Sequence, residues 1–162
     1  ERLQERITRL ASGVAVIKVG AATEVEMIEK RHRIDDALEA VRSAQEEGVV
    51  PGGGVALLKS VKDIEIQTDN EEQALGAKIV IEAVEEPIRQ MALNAGLSPD
   101  LVVNQVRLTK NHNQGMNFLT GDLVDLMEAG VIDPVKVTKC ALQNAVSVSS
   151  TIITTSHAIV SE

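Results

Sequence analysis

The sequence predicts a mainly α-helical fold with a few short strands, and three observations carry that reading. Apolar residues recur at three- and four-residue spacing along several stretches, whereas β-branched apolar runs are brief. Helix-start signals head those stretches: Thr23 with Glu26, Asn70 with Gln73, Ser98 before Pro99, and Asp133 before Pro134. Helix stops follow at Gly13, Gly48, Gly96 and Gly130.

Taken in order, Leu3, Ile7, Leu10 and Ala11 mark a first helix that Gly13 ends. Val14–Val19 is a β-branched apolar run closed by Gly20 and reads as a strand. The Thr23–Glu26 capping box opens a long helix with an apolar stripe through Met27, Ile34, Ala37, Leu38, Val41 and Ala44. At about 1.5 Å per residue it spans roughly 36 Å, long enough for a lever or a bridge between domains. Val55–Val61 reads as a short helix. Asn70 starts another, carrying Leu75, Ile79, Val80 and Val84, which Pro87 must kink or break because it lacks an N–H and clashes with the preceding turn. Ile88, Met91, Ala92 and Ala95 continue it, and Ser98-Pro99 launches Leu101–Val106. Leu108–Leu119 reads as a loop or small hairpin, and Asp122–Ala129 as a short amphipathic helix. A long helix from Asp133-Pro134 runs to about Thr151, and Ala158–Val160 reads as a strand.

Composition narrows the function classes. With 44% hydrophobic residues but one Phe and no Trp or Tyr, the core must be built from Val, Ile, Leu, Ala and Met. Recognition of nucleic acid by aromatic stacking is disfavoured, and a net charge of −8 offers no basic stripe for a polyanion. A nucleotide is still admissible. No segment reaches the ~18 uninterrupted apolar residues of a membrane span. The lone Cys140 reads as a small core residue in a reducing compartment, not a nucleophile. His32, His112 and His157 lack zinc spacing, and no Gly-x-Ser-x-Gly elbow surrounds Ser147, Ser149 and Ser150. The start at Glu1, without Met and inside a helical pattern, suggests an internal cut.

The stretch Glu46–Leu57 is the most informative. It sets Gly52, Gly53 and Gly54 between an acidic helix end and a new apolar helix. Such a loop lets a phosphate approach backbone amides, though a tight turn would use the same residues. It has neither the Walker ending nor a Gly-x-Gly-x-x-Gly pattern.

Three strings carry a family likeness: Val14–Glu24, Asp35-Asp36-Ala37-Leu38-Glu39-Ala40, and Glu46–Gly54; Gly130–Val137 and Ala141-Leu142-Gln143 extend it in the same order. Together they resemble the group I chaperonins, the GroEL family, over nearly the whole chain. The resemblance implies the C-terminal part of a chaperonin subunit. Residues 1–47 would be the returning half of the intermediate domain, a helix and strand segment. Residues 48–162 would be the second half of the multihelical equatorial domain.

It also implies an ATP-driven folding machine. Asp36 would activate the water that attacks the γ-phosphate, close to a metal; as plain chemistry, Asp35 and Asp36 also read as an acidic pair on a solvated helix face. Gly52, Gly53 and Gly54 would line the nucleotide, with Gly53 against it. Asp133 would bond the ribose hydroxyls, or cap a helix before Pro134. Asn117 would meet the adenine edge, with Leu119 beside it and Ile132 packed on the base. Here the chain departs from the family, with Met116 for a common aromatic and Phe118-Leu119 where small residues are usual. The phosphate-gripping Gly-Asp-Gly-Thr-Thr segment, its metal-binding aspartate, the apical domain and the Gly/Met-rich tail have no counterpart in these residues. The intact parent would use ATP with Mg2+ and K+, form a homo-oligomeric ring, and engage a co-chaperonin and unfolded clients through the apical domain, with no nucleic acid or membrane partner. A bacterial-type cytoplasm is expected, with mitochondrial matrix or plastid stroma as alternatives. Two other readings stand beside this one: a purely structural helical assembly module, and an independent nucleotide-binding domain.

Overall fold

The computed structural model describes Leu3, Arg6, Ile7, Leu10 and residues 15–62 and 64–160. The elements are α1 (Glu24–Glu47), β1 (Val49–Pro51), α2 (Val55–Ser60), α3 (Glu71–Ala83), α4 (Glu86–Asn94), α5 (Pro99–Leu108), β2 (Gln114–Asn117), β3 (Asp122–Asp125), β4 (Ile132–Pro134) and α6 (Val135–Thr154). The fold is mainly helical, as expected. Two compact units divide the chain, Glu1–Glu39 and Ala40–Glu162.

In the first unit, Leu3, Arg6, Ile7 and Leu10 are helical, and the rest of that expected helix lies outside the described residues. The expected strand Val14–Val19 does not form: Val14 lies outside the described residues, and residues 15–20 have no ladder partner among them. A β-branched run is only half of a strand, because its amides and carbonyls still need a neighbour. The capping box does form. Thr23 Oγ1 accepts the Glu26 N–H at 3.2 Å, and the Glu26 carboxylate accepts the Ala22 N–H at 3.2 Å. Ion pairs at i,i+4 follow along α1: Lys30–Glu26 at 3.2 Å, Arg33–Glu29 at 2.5 Å and Arg31–Asp35 at 3.7 Å.

The second unit holds the core. Val55 and Leu58 of α2, Ile88 and Ala92 of α4, Val102, Val103 and Val106 of α5, Met116 of β2, and Leu126 are buried together. The α4 stripe recurs every four residues and the α5 stripe at three and four, as helical packing requires. Asn70 Oδ1 caps α3 by accepting the Gln73 N–H at 2.8 Å. Pro87 falls in the first turn of α4, so the helix breaks after Ala83 as expected. Lys59 is the one buried charge among the described residues. Its ammonium donates to Thr109 Oγ1 at 2.7 Å, Asn111 O at 2.5 Å and Gln114 O at 2.8 Å, fastening the α5–β2 loop to α2.

Three further expectations are corrected here. Asp122–Ala129 is not a helix. Its first four residues are β3, antiparallel to β2 with Gly115 opposite Val124 and Met116 opposite Leu123. Leu126, wholly buried, donates to Asn113 O at 2.9 Å and accepts the Val131 N–H at 2.8 Å, bonds that a helix would forfeit. Asp133 is not an N-cap: it sits inside β4, opposite Val50, and Pro134 precedes the first turn of α6 in extended conformation. Ala158–Val160 forms no strand. Among the described residues no helix is long and apolar enough to cross a membrane.

Candidate functional site

The glycine loop begins where β1 ends. Val49-Val50 is β-branched and pairs antiparallel with β4, setting Val50 opposite Asp133 and Pro51 opposite Ile132. Sequence reasoning missed β1, although its two valines before a glycine run carried the signal. The pairing brings the loop beside Ile132 and Asp133, some eighty residues on in the chain. The Gly52 N–H donates to Val131 O at 2.9 Å, and a Cβ on Gly52 would lie 3.1 Å from that oxygen.

The three glycines serve different needs. Gly54, at φ 72, starts α2 and lies so close to α4 that a Cβ would stand 3.0 Å from the Ile88 amide nitrogen. Gly53, at φ 64, has open space beside it: a Cβ would meet nothing nearer than Met116 O at 3.8 Å and the Phe118 ring at 3.9 Å. The N–H groups of Gly53 and Gly54 make no hydrogen bond with any described residue. Unpaired amides in a glycine corner are donors that an anionic ligand can use.

The β2–β3 hairpin closes another side. Asn117 ends β2; its Oδ1 accepts the Leu119 N–H at 3.0 Å and its carbonyl accepts the Gly121 N–H at 2.8 Å. Its side-chain amide nitrogen stays available to an acceptor. Leu119 is 96% exposed at the turn and Ile132 is 45% exposed. Met116 O and Phe118 border Gly53, contacts that backbone folding creates and no motif announces. Behind β4, Val135 donates to Gly48 O at 3.1 Å, Lys139 meets Glu47 at 2.6 Å, and Lys136 pairs with Glu46, which holds the lysine above its usual range.

The second unit therefore gathers Gly52–Gly54, the end of β2 bearing Asn117, and Ile132-Asp133 into one region. Asp36 belongs to the first unit, exposed on α1 and without a polar partner among the described residues, whereas Asp35 is taken by Arg31 at 3.7 Å. No three His, Cys, Asp or Glu side chains group as a metal site among the described residues.

Comparison with known proteins identifies the family. A profile of the TCP-1/cpn60 chaperonin family matches residues 5–162. The crystal structure of a group III chaperonin in the open state superposes with a TM-score of 0.72 at 28% sequence identity, over 87% of this chain and 30% of that one. This chain thus spans less than a third of the length of that chaperonin. With the profile running through every segment that builds the site, the chain belongs to the TCP-1/cpn60 chaperonin family.

Proposed function

We propose that this chain is part of a subunit of an ATP-dependent, protein-folding chaperonin, to which it contributes one side of the nucleotide site and part of the ring contacts. The observation that carries the reading is the open Gly53 corner. The amides of Gly53 and Gly54 are unpaired among the described residues, open space lies beside the Gly53 Cα, and the strand that bears Asp133 and the hairpin that bears Asn117 lie close by. In this reading the amides of Gly53 and Gly54 hold a phosphate oxygen, with Gly52 positioning them. Asp133 accepts from the ribose hydroxyls, Asn117 donates to the adenine edge, and Ile132 and Leu119 give the base apolar surface. Residues 1–47 act as the intermediate-domain segment and 48–162 as the equatorial one, in a group I ring of a bacterial-type cytoplasm. Client and co-chaperonin binding belong to the apical domain.

Asp36 is assigned the water-activating role. A carboxylate free of local partners can orient a nucleophilic water in phosphoryl transfer, whereas its neighbour Asp35 is engaged by Arg31. ATP brings Mg2+ and draws on K+ in this reading. The described residues do not themselves assemble a metal site, so no step is assigned to either ion. In the full-length protein, Asp36→Ala is expected to leave ATP affinity within about twofold and to slow hydrolysis by about 10²-fold or more, the scale of a lost general base. Equilibrium nucleotide binding beside a steady-state turnover assay checks this. Unchanged turnover removes Asp36 from the chemistry, and loss of binding alone makes it a ligand contact.

A further inference from the structure

We propose that the cleft at the far end of α2 from the glycine loop is a separate binding site for a small phosphate-type oxyanion. The cleft, about 240 Å³, is lined by Lys59, Lys62, Arg107, Thr109, Lys110 and His112. Four of these six are cationic, none is acidic and none is apolar, in a protein of net charge −8. Clustering like charges is unfavourable unless something answers them. Only Arg107 has a carboxylate partner here, Glu85. Lys62 reaches no more than the Arg107 carbonyl at 3.3 Å, and Lys110 and His112 have no polar contact with a described residue. Lys59 spends all three N–H groups on Thr109, Asn111 and Gln114, so it adds charge and not a free donor. Burial, and the nearby Lys62, push the Lys59 ammonium below the usual lysine range, as expected of a positive group whose charge goes unanswered.

The lining selects the ligand class. Its lining residues carry four cationic head groups and no carboxylate, so the ligand that answers them is an anion whose oxygen atoms accept charge-assisted bonds. A compact dianion meeting Lys62 and Lys110 through charge-assisted bonds answers both ammonium charges together, neither of which has a carboxylate partner among the described residues. The site is independent of the nucleotide reading, because it shares no residue with the glycine loop, β4 or Asp133.

Lysine acylation read by mass spectrometry, on the full-length protein with inorganic phosphate as the probe, tests this. Phosphate is expected to protect Lys62 and Lys110 selectively while Lys30 and Lys78, exposed on other helices, react as before. The double variant Lys62→Gln/Lys110→Gln keeps Lys59 and its loop contacts, and its phosphate affinity should fall roughly tenfold or more, as loss of two charged donors requires. Its melting temperature should be unchanged. Four results overturn the proposal: protection that is absent or shared by all lysines; a double variant that binds phosphate as before; Lys62 and Lys110 already unreactive without phosphate, meaning protein fills the cleft; or protection by polyglutamate and not by phosphate, meaning an acidic-peptide surface. Phosphate held only in the nucleotide site would leave both lysines reactive, which separates the two sites.

Discussion

A methyl group tells the glycines of the loop apart. At Gly54 it would adopt a left-handed backbone, costing about 1–2 kcal/mol, and would also press on the Ile88 backbone nitrogen at 3.0 Å and the Met91 methyl at 3.2 Å. Backbone cannot retreat as a side-chain tip can, so overpacking adds about 1–3 kcal/mol. Gly54→Ala should therefore lose about 3 kcal/mol of stability, read from the shift in the urea midpoint of the full-length protein. Gly53→Ala carries the backbone strain but no crowding, since nothing stands within 3.8 Å, and should lose only about 1–2 kcal/mol. Its cost falls instead on nucleotide affinity, expected to drop about tenfold or more because the methyl fills the open space beside Gly53 that the proposed reading gives to the phosphate. If Gly54→Ala is the milder change for stability, or Gly53→Ala binds ATP normally, the division of labour between these residues is wrong.

Between elements, what the sequence reveals depends on how far apart the bonded partners lie. Helices close their hydrogen bonds four residues away, so Thr23 with Glu26 and Asn70 with Gln73 announced α1 and α3, and Pro87 announced the break before α4. Strands need a remote partner. Val49-Val50 became β1 only because Ile132–Pro134 lay beside it, and residues 15–20, with a better strand composition, have no such partner among the described residues. The same remoteness hid the Asp122–Ala129 hairpin leg, where Leu123 and Val124 pair with β2 and overrule an amphipathic pattern. It hid the site in part as well. The glycines and Asp133 stood out as motifs, but their meeting, and the presence of Met116 O and Phe118 beside Gly53, is a product of the β1–β4 and β2–β3 ladders. Asp125 holds the turn between those ladders. Its Oδ1 accepts the N–H groups of Met127 at 3.0 Å and Glu128 at 3.2 Å, and Oδ2 accepts from Asn111 at 3.1 Å. Asp125→Ala should cost about 1 kcal/mol, the worth of a lost cap. Amide exchange should quicken first at Met127 and Glu128. Unchanged exchange there would mean the backbone bonds of Leu126 hold the turn alone.

Across the whole chain, burial is unequal in a way that one polypeptide of this length leaves unresolved. None of the 20 residues of α6 and none of the 13 of α3 is buried. Both helices nonetheless carry apolar residues, and α6 leaves Val148 59%, Ile152 67% and Ile153 78% exposed while α3 leaves Leu75 61% and Ile79 55% exposed. Apolar side chains recurring along a helix mark a face that expects cover, since each buried Ile contributes about 1.5–3 kcal/mol. The chain spans 30% of the group III chaperonin chain it matches, and in the proposed reading the remainder of the subunit and its ring neighbours supply that cover. The 162-residue polypeptide expressed by itself should then associate, its sedimentation-average mass rising with concentration. Ile152→Ser with Ile153→Ser should weaken that association without lowering thermal stability, because residues so exposed give the isolated chain little to lose. In the full-length protein the same pair should instead lower stability or ring assembly, because there the two side chains are covered. A compact monomer at all concentrations, or a full-length protein indifferent to both serines, would mean that these helix faces are meant for water.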